Sequence, residues 1–249
     1  MAIEWARLAW LVALSVPLLF LTRWLNLHLQ GLGLLLSGNE QTAMLLHYLV
    51  LLPGILLHEI SHLLAAKLVG VKTRSFSLQP KASRGGTVRF GAVTVAKSDP
   101  FRESWIGLAP LLTGTASILL LAQWQFGVES LPALSVESVW QTLLASLQAP
   151  DALLGLYTIF AISNSMWPSE SDRQPWRAVL LFLVLAVGLV FISGLLSQIP
   201  SGPAQWIRTG VEYLAFAFAL AVVVDAPFAL LVLVLEKVGE RILGRHVEY

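Results

Sequence analysis

Five consecutive residues can do chemistry together: His58-Glu59-Ile60-Ser61-His62. Histidines four apart share one face of a helix, about one turn apart, so both imidazoles can reach a single metal ion. The carboxylate of Glu59 can then reach a water beside that ion. This H-E-x-x-H pattern is the arrangement of a zinc hydrolase, with two histidine ligands and a glutamate general base. Zn²⁺ is the expected cofactor, and a third protein ligand must come from elsewhere in the chain.

The helix that carries the pattern is unusual for an enzyme. Residues 45–69 are nearly all apolar apart from the motif, His47 and Lys67. Across its 249 residues the chain is 56% hydrophobic and 12% charged, with a mean hydropathy of +0.74. A soluble domain carries about twice that charge fraction. The expected class is an all-α polytopic membrane protein, a single transmembrane domain over residues 1–249, with the lipid bilayer as its surroundings. A net charge of +1 gives no reason to expect a nucleic-acid partner. The absence of cysteine excludes a disulfide framework and a thiolate-bound metal.

Apolar runs of about 20 residues mark candidate spans. They place six, near residues 8–21, 43–66, 105–124, 152–167, 179–196 and 211–235, with a core over 43–197 and flanking spans at either end. The first resembles a signal peptide without a cleavage site and is read as an uncleaved span. The glycine-bearing stretch 26–41 is read as interfacial or re-entrant, and 136–147 as a short amphipathic helix. Alternating segments on either side of Arg84-Gly85-Gly86 predict a small β-hairpin between the second and third spans. Pro53 is expected to kink the metal helix. Pro200 to Pro203 reads as a turn, and 236–249 as a charged tail that can form a short surface helix.

Assigning alternate loops to two sides puts fourteen of the 16 basic residues on one side and only Arg23 and Arg208 on the other. The positive-inside rule then makes the protein multi-pass with both termini, the hairpin and the polar break 168–175 in the cytoplasm. His62 precedes Lys67 by five residues, so the motif lies about 8–14 Å from the cytoplasmic surface at 1.5 Å per residue. Three carboxylates are candidates for the third ligand near that surface: Asp172, in the polar break, Asp225 beside Pro227, and Glu170 as a weaker one. Irregular backbone such as this break is tolerated at membrane depth where it is buried or lines a wet cavity. His47 lies about 16 Å along the axis from His58, too far for one metal, and is read as interfacial.

The chain resembles the site-2 protease family of intramembrane zinc metalloproteases. The resemblance is carried by H-E-x-x-H in an apolar helix and by Asn164-Ser-Met-Trp-Pro168-Ser-Glu-Ser-Asp172 about a hundred residues later. Ala109-Pro110 and the hairpin are similar to further features of that family's three-helix core. The likeness runs from about residue 45 to 185. Here Asp172 is followed by Arg173 where the family usually has glycine, and the proline stands four residues after the asparagine rather than three. The resemblance implies that Asp172 completes the zinc site with His58 and His62, and that Asn164 contacts substrate. It implies a transmembrane protein substrate and a bacterial plasma membrane. There is no insert the size of a PDZ domain, which leaves room for a separate adaptor protein.

Other readings stand beside this one. Asp225 can act as an alternative ligand, orient a ligand histidine, or make a structural hydrogen bond. Asn164 can simply link helices. A catalytically inactive zinc-binding partner protein, or a metal transporter, would also place histidines in a membrane helix. Glu59 argues against the first, because a structural site needs no base. A single cluster near one surface argues against the second.

Overall fold

A computed structural model describes residues 5–82, 88–124, 136–192 and 201–247. It is mostly helical: α1 (Trp5–Ser37), α2 (Glu40–Leu68), a hairpin of β1 (Thr73–Ala82) and β2 (Val88–Val95), α3 (Pro100–Trp124), α4 (Val136–Gln148), α5 (Ala152–Ser163), α6 (Glu170–Arg173), α7 (Trp176–Ile192) and α8 (Ser201–Leu243). Among the described residues four helices, α1, α2, α3 and α8, are long and apolar enough to cross a membrane. The fourth and fifth expected spans are α5, with 12 residues, and α7, with 17. At 1.5 Å per residue α5 reaches about 18 Å, short of a ~30 Å hydrocarbon layer, while the expected end of the fifth span, past Ile192, lies outside the described residues.

Helix α2 is central. Gly38, at φ 64, makes the tight turn from α1, and the Asn39 side chain caps the new helix by accepting the Gln41 and Thr42 N–H groups. Helices α1, α3 and α5 pack around α2, and both strands rest against it. Leu51 and Ile55 of α2 join Ile118, Ile159 and Phe160 in the main apolar core. A second cluster of Ala65, Ala66, Val71, Ile106 and Ala109 ties the base of the hairpin to α2 and α3. The hairpin is antiparallel as expected, with Thr73 opposite Val95 and Phe76 opposite Val93. Its Arg84-Gly85-Gly86 turn lies outside the described residues, as do residues 125–135 and Pro200.

Three expectations are corrected. Residues 26–37 are neither interfacial nor re-entrant but the second half of α1. Ser201 to Pro203 form the first turn of α8, which then runs unbroken through the expected tail to Leu243. The third correction concerns direction. His28 meets Glu236 at 2.7 Å, Leu35 lies beside Gly239, and Arg245 beside Gly38. Ascending positions thus face ascending positions, so α8 runs parallel to α1. Its C-terminal end sits at the α1–α2 turn, at the other end of α2 from the hairpin. The charge count put Lys237, Arg241 and Arg245 on the hairpin's side because it took residues 211–235 as one alternating span. A 43-residue helix is about 65 Å long, and its pairing with α1 settles its direction.

Candidate metal centre

His58 and His62 occupy one face of α2, and their Nε2 atoms stand 3.1 Å apart. Each ring is fixed through its other nitrogen. His58 Nδ1 lies 2.6 Å from the Ser165 carbonyl, just past the end of α5, and His62 Nδ1 lies 2.9 Å from the Ile106 carbonyl of α3. A carbonyl only accepts, so both Nδ1 atoms carry the hydrogen and donate it. The Nε2 lone pairs are left facing one another.

The third group comes from α6. The expected non-helical break is a single helical turn there, started by a capping box: the Ser169 N–H and hydroxyl both donate to Asp172 Oδ2, at 2.7 and 2.6 Å. Asp172 Oδ1 is turned to the rings, 3.4 Å from His62 Nε2, and Oδ2 lies 3.9 Å from His58 Nε2. Burial raises the Asp172 carboxyl, but the facing His62 ring, the Ser169 donors and His58 outweigh it and hold the group below its ordinary value.

Ligand atoms of His58, His62 and Asp172 all lie within 4.8 Å of one another. Two lone pairs and a carboxylate converging in a largely buried place require a cation or a proton between them. The donor set fits zinc. Two ligand atoms on a tetrahedral zinc stand about 3.3 Å apart, given zinc–ligand distances near 2.0–2.1 Å. The orienting carbonyls behind both imidazoles are what ligand histidines ordinarily have.

Glu59 is buried, and the backbone N–H of Val93 in β2 reaches its carboxylate. Glu59 therefore lies between α2 and the hairpin. A cleft of about 600 Å³ opens beside it, lined by His62 and Asp172, by Arg74, Val93 and Lys97 of the hairpin region, and by Glu103 and Gly107 of α3.

The other sequence candidates fall elsewhere. Asp225 is fully buried in α8 and accepts the Ser163 hydroxyl, at 2.9 and 3.1 Å to its two oxygens. It touches neither ligand ring. Asn164 is the residue that ends α5; its amide donates to the Phe160 carbonyl, at 2.9 Å, and to Ser163 Oγ, at 3.3 Å. Its buried Oδ1 has no hydrogen-bond partner. Glu170 begins α6 and is exposed. His47 is buried in the protein, bonded to Asn26 and Gln30 of α1.

Several residues that shape the site carry no chemical signature. A Cβ on Gly107 would stand 2.3 Å from the Asp172 carbonyl oxygen, and one on Gly54 would stand 1.9 Å from that of Ala161. These two glycines let α6 approach α3 and let α5 approach α2. Their only trace in the sequence is a small residue within four positions of a site residue on an apolar helix, a common packing device in membranes.

No protein-family model, curated protein or solved structure matches the chain.

Proposed function

We propose that the protein is an intramembrane zinc metalloprotease similar to the site-2 protease family, hydrolysing peptide bonds in or near transmembrane segments of membrane protein substrates. The observation that carries this reading is the pair of carbonyl-fixed imidazoles with their Nε2 atoms turned toward each other and toward Asp172. His58, His62 and Asp172 hold the ion. Zinc bound there supplies Lewis acidity, lowering the pKa of water and polarising a carbonyl. Glu59 takes the proton of the attacking water and returns it to the leaving nitrogen. The cleft between the hairpin, α3 and α6 admits that water. Basic residues Lys67, Lys72, Arg74, Lys97 and Arg102 crowd this end of the molecule, which the positive-inside rule assigns to the cytoplasm.

A transmembrane substrate must unwind before its peptide bond is accessible, because helical hydrogen bonds shield the backbone. Strand β2 borders the base, so an unwound segment can add to it as a further strand. Removing residues 84–95 while zinc content and fold are kept should abolish cleavage; unimpaired cleavage would separate the hairpin from substrate handling.

The test of the function is Glu59→Gln in cells that co-express a membrane protein substrate. The variant should retain zinc and lose cleavage, and the substrate trapped on it can be identified by mass spectrometry. Full cleavage by Glu59→Gln would remove Glu59 from the reaction. Zinc without cleavage of any substrate by the wild type would instead favour an inactive zinc-binding partner.

A further inference from the structure

The two carbonyls that fix the ligand histidines have a common origin. In an α-helix the carbonyl of one residue accepts the N–H four residues later. For Ile106 that residue is Pro110, inside α3, which has no N–H to give. The Ile106 carbonyl is left without its helical donor, and His62 Nδ1 supplies one at 2.9 Å.

Ser165 is in the same position for a related reason. Helix α5 ends at Ser163. The chain's next two potential donors to the Ser165 carbonyl are residues 168 and 169. Residue 168 is proline. The Ser169 N–H donates to Asp172 Oδ2 in the cap of α6. His58 Nδ1 takes the open carbonyl at 2.6 Å. In an apolar surrounding a carbonyl without a donor is costly, so each carbonyl needs its ring as much as the ring needs it.

We infer that Pro110 and Pro168 are positioning residues for the metal: by withholding a backbone N–H, each frees one carbonyl that holds one imidazole with its Nε2 lone pair turned inward. The arrangement also sets the tautomer, because the N–H is drawn to Nδ1 on both rings. Neither proline offers a side-chain ligand atom. The inference rests on the zinc reading above and extends it to residues that act through others.

The experiment measures zinc affinity, by chelator competition, and the thermal midpoint of the metal-free protein, both on the full chain in detergent. It uses wild type, P110A, P168A, P53A and His58→Ala. P110A returns an N–H to Ile106, and its zinc affinity should fall by about 10–100-fold, the usual effect of losing a partner behind a ligand histidine. Its metal-free midpoint should hold or rise, because alanine suits a helix interior better than proline. P168A should weaken zinc in the same range. P53A returns an N–H to Leu49, also in a membrane helix, and should bind zinc like wild type. Wild-type affinity in both P110A and P168A would overturn the inference. So would an equal loss in P53A, or a fall in P110A affinity that only tracks a lower midpoint. A wild type that holds no more zinc than His58→Ala would remove the zinc reading itself, and the inference with it.

Discussion

Helix α2 carries two histidine clusters, and they differ in what the ring nitrogens face. His47 Nε2 lies 2.9 Å from Asn26 Oδ1, so it donates, while Nδ1 receives the Gln30 amide at 3.3 Å. The Asn26 amide nitrogen in turn donates to the Thr22 and Asn164 carbonyls. Every ring nitrogen in this cluster has a protein partner of opposite kind, which makes it a clip between α1, α2 and α5. At His58 and His62 the Nδ1 atoms are satisfied in the same way, but the Nε2 atoms face each other and a carboxylate. The first cluster is complete as it stands, whereas the second leaves its inward-facing lone pairs and carboxylate in an arrangement that could hold a metal ion. The same contrast separates the two aspartates: Asp225 takes its hydrogen bonds from Ser163, whereas Asp172 turns one oxygen to the imidazoles. In a membrane interior, where every polar group needs a partner, the kind of partner distinguishes structure from chemistry.

Substitutions on either side test that distinction. The largest effect belongs to His58→Ala, which should remove zinc and all cleavage, as measured by metal analysis and a substrate assay. Glu59→Gln should keep zinc and slow cleavage by about 10²–10⁴-fold, the usual contribution of a general base. Gly107→Ala forces α6 away from α3 and should weaken zinc by about tenfold or more, since a misplaced Asp172 is a poorer ligand. An unaltered zinc affinity in this variant would show that α6 can shift without carrying Asp172 with it. The smallest effect on zinc belongs to the other cluster. His47→Ala should leave zinc affinity at the wild-type value and lower stability by about 1 kcal/mol, in the range of interhelical hydrogen bonds in membranes. Loss of zinc in His47→Ala would erase the difference between the clusters.

The juxtaposition of His58, His62 and Asp172 was legible in the sequence where it is local. H-E-x-x-H fixes its own geometry on any helix, and the position of Asp172 in a polar break pointed to the same end of the molecule. The hairpin and the amphipathic α4 were also readable, because alternation and helical periodicity are short-range patterns. What sequence reading misjudged depends on partners far along the chain. Residues 26–37 look interfacial because Asn26, His28 and Gln30 are polar, yet Asn26 and Gln30 bond to α2 and His28 to α8. Gly33 does not break the helix because it lies against Ala43. Pro203 reads as a turn residue, but it falls in the first turn of α8, where a missing N–H costs nothing. The direction of α8 is set by contacts such as His28 with Glu236, 208 residues apart, which no local pattern encodes.

If His58, His62 and Asp172 form a metal site, Asp225 belongs only to the packing of α8. Zinc content, measured in parallel on purified wild type, Asp172→Ala and Asp225→Ala, tests it most directly. One zinc per chain is expected in the wild type and in Asp225→Ala, and none in Asp172→Ala. Zinc kept by Asp172→Ala and lost by Asp225→Ala would contradict it.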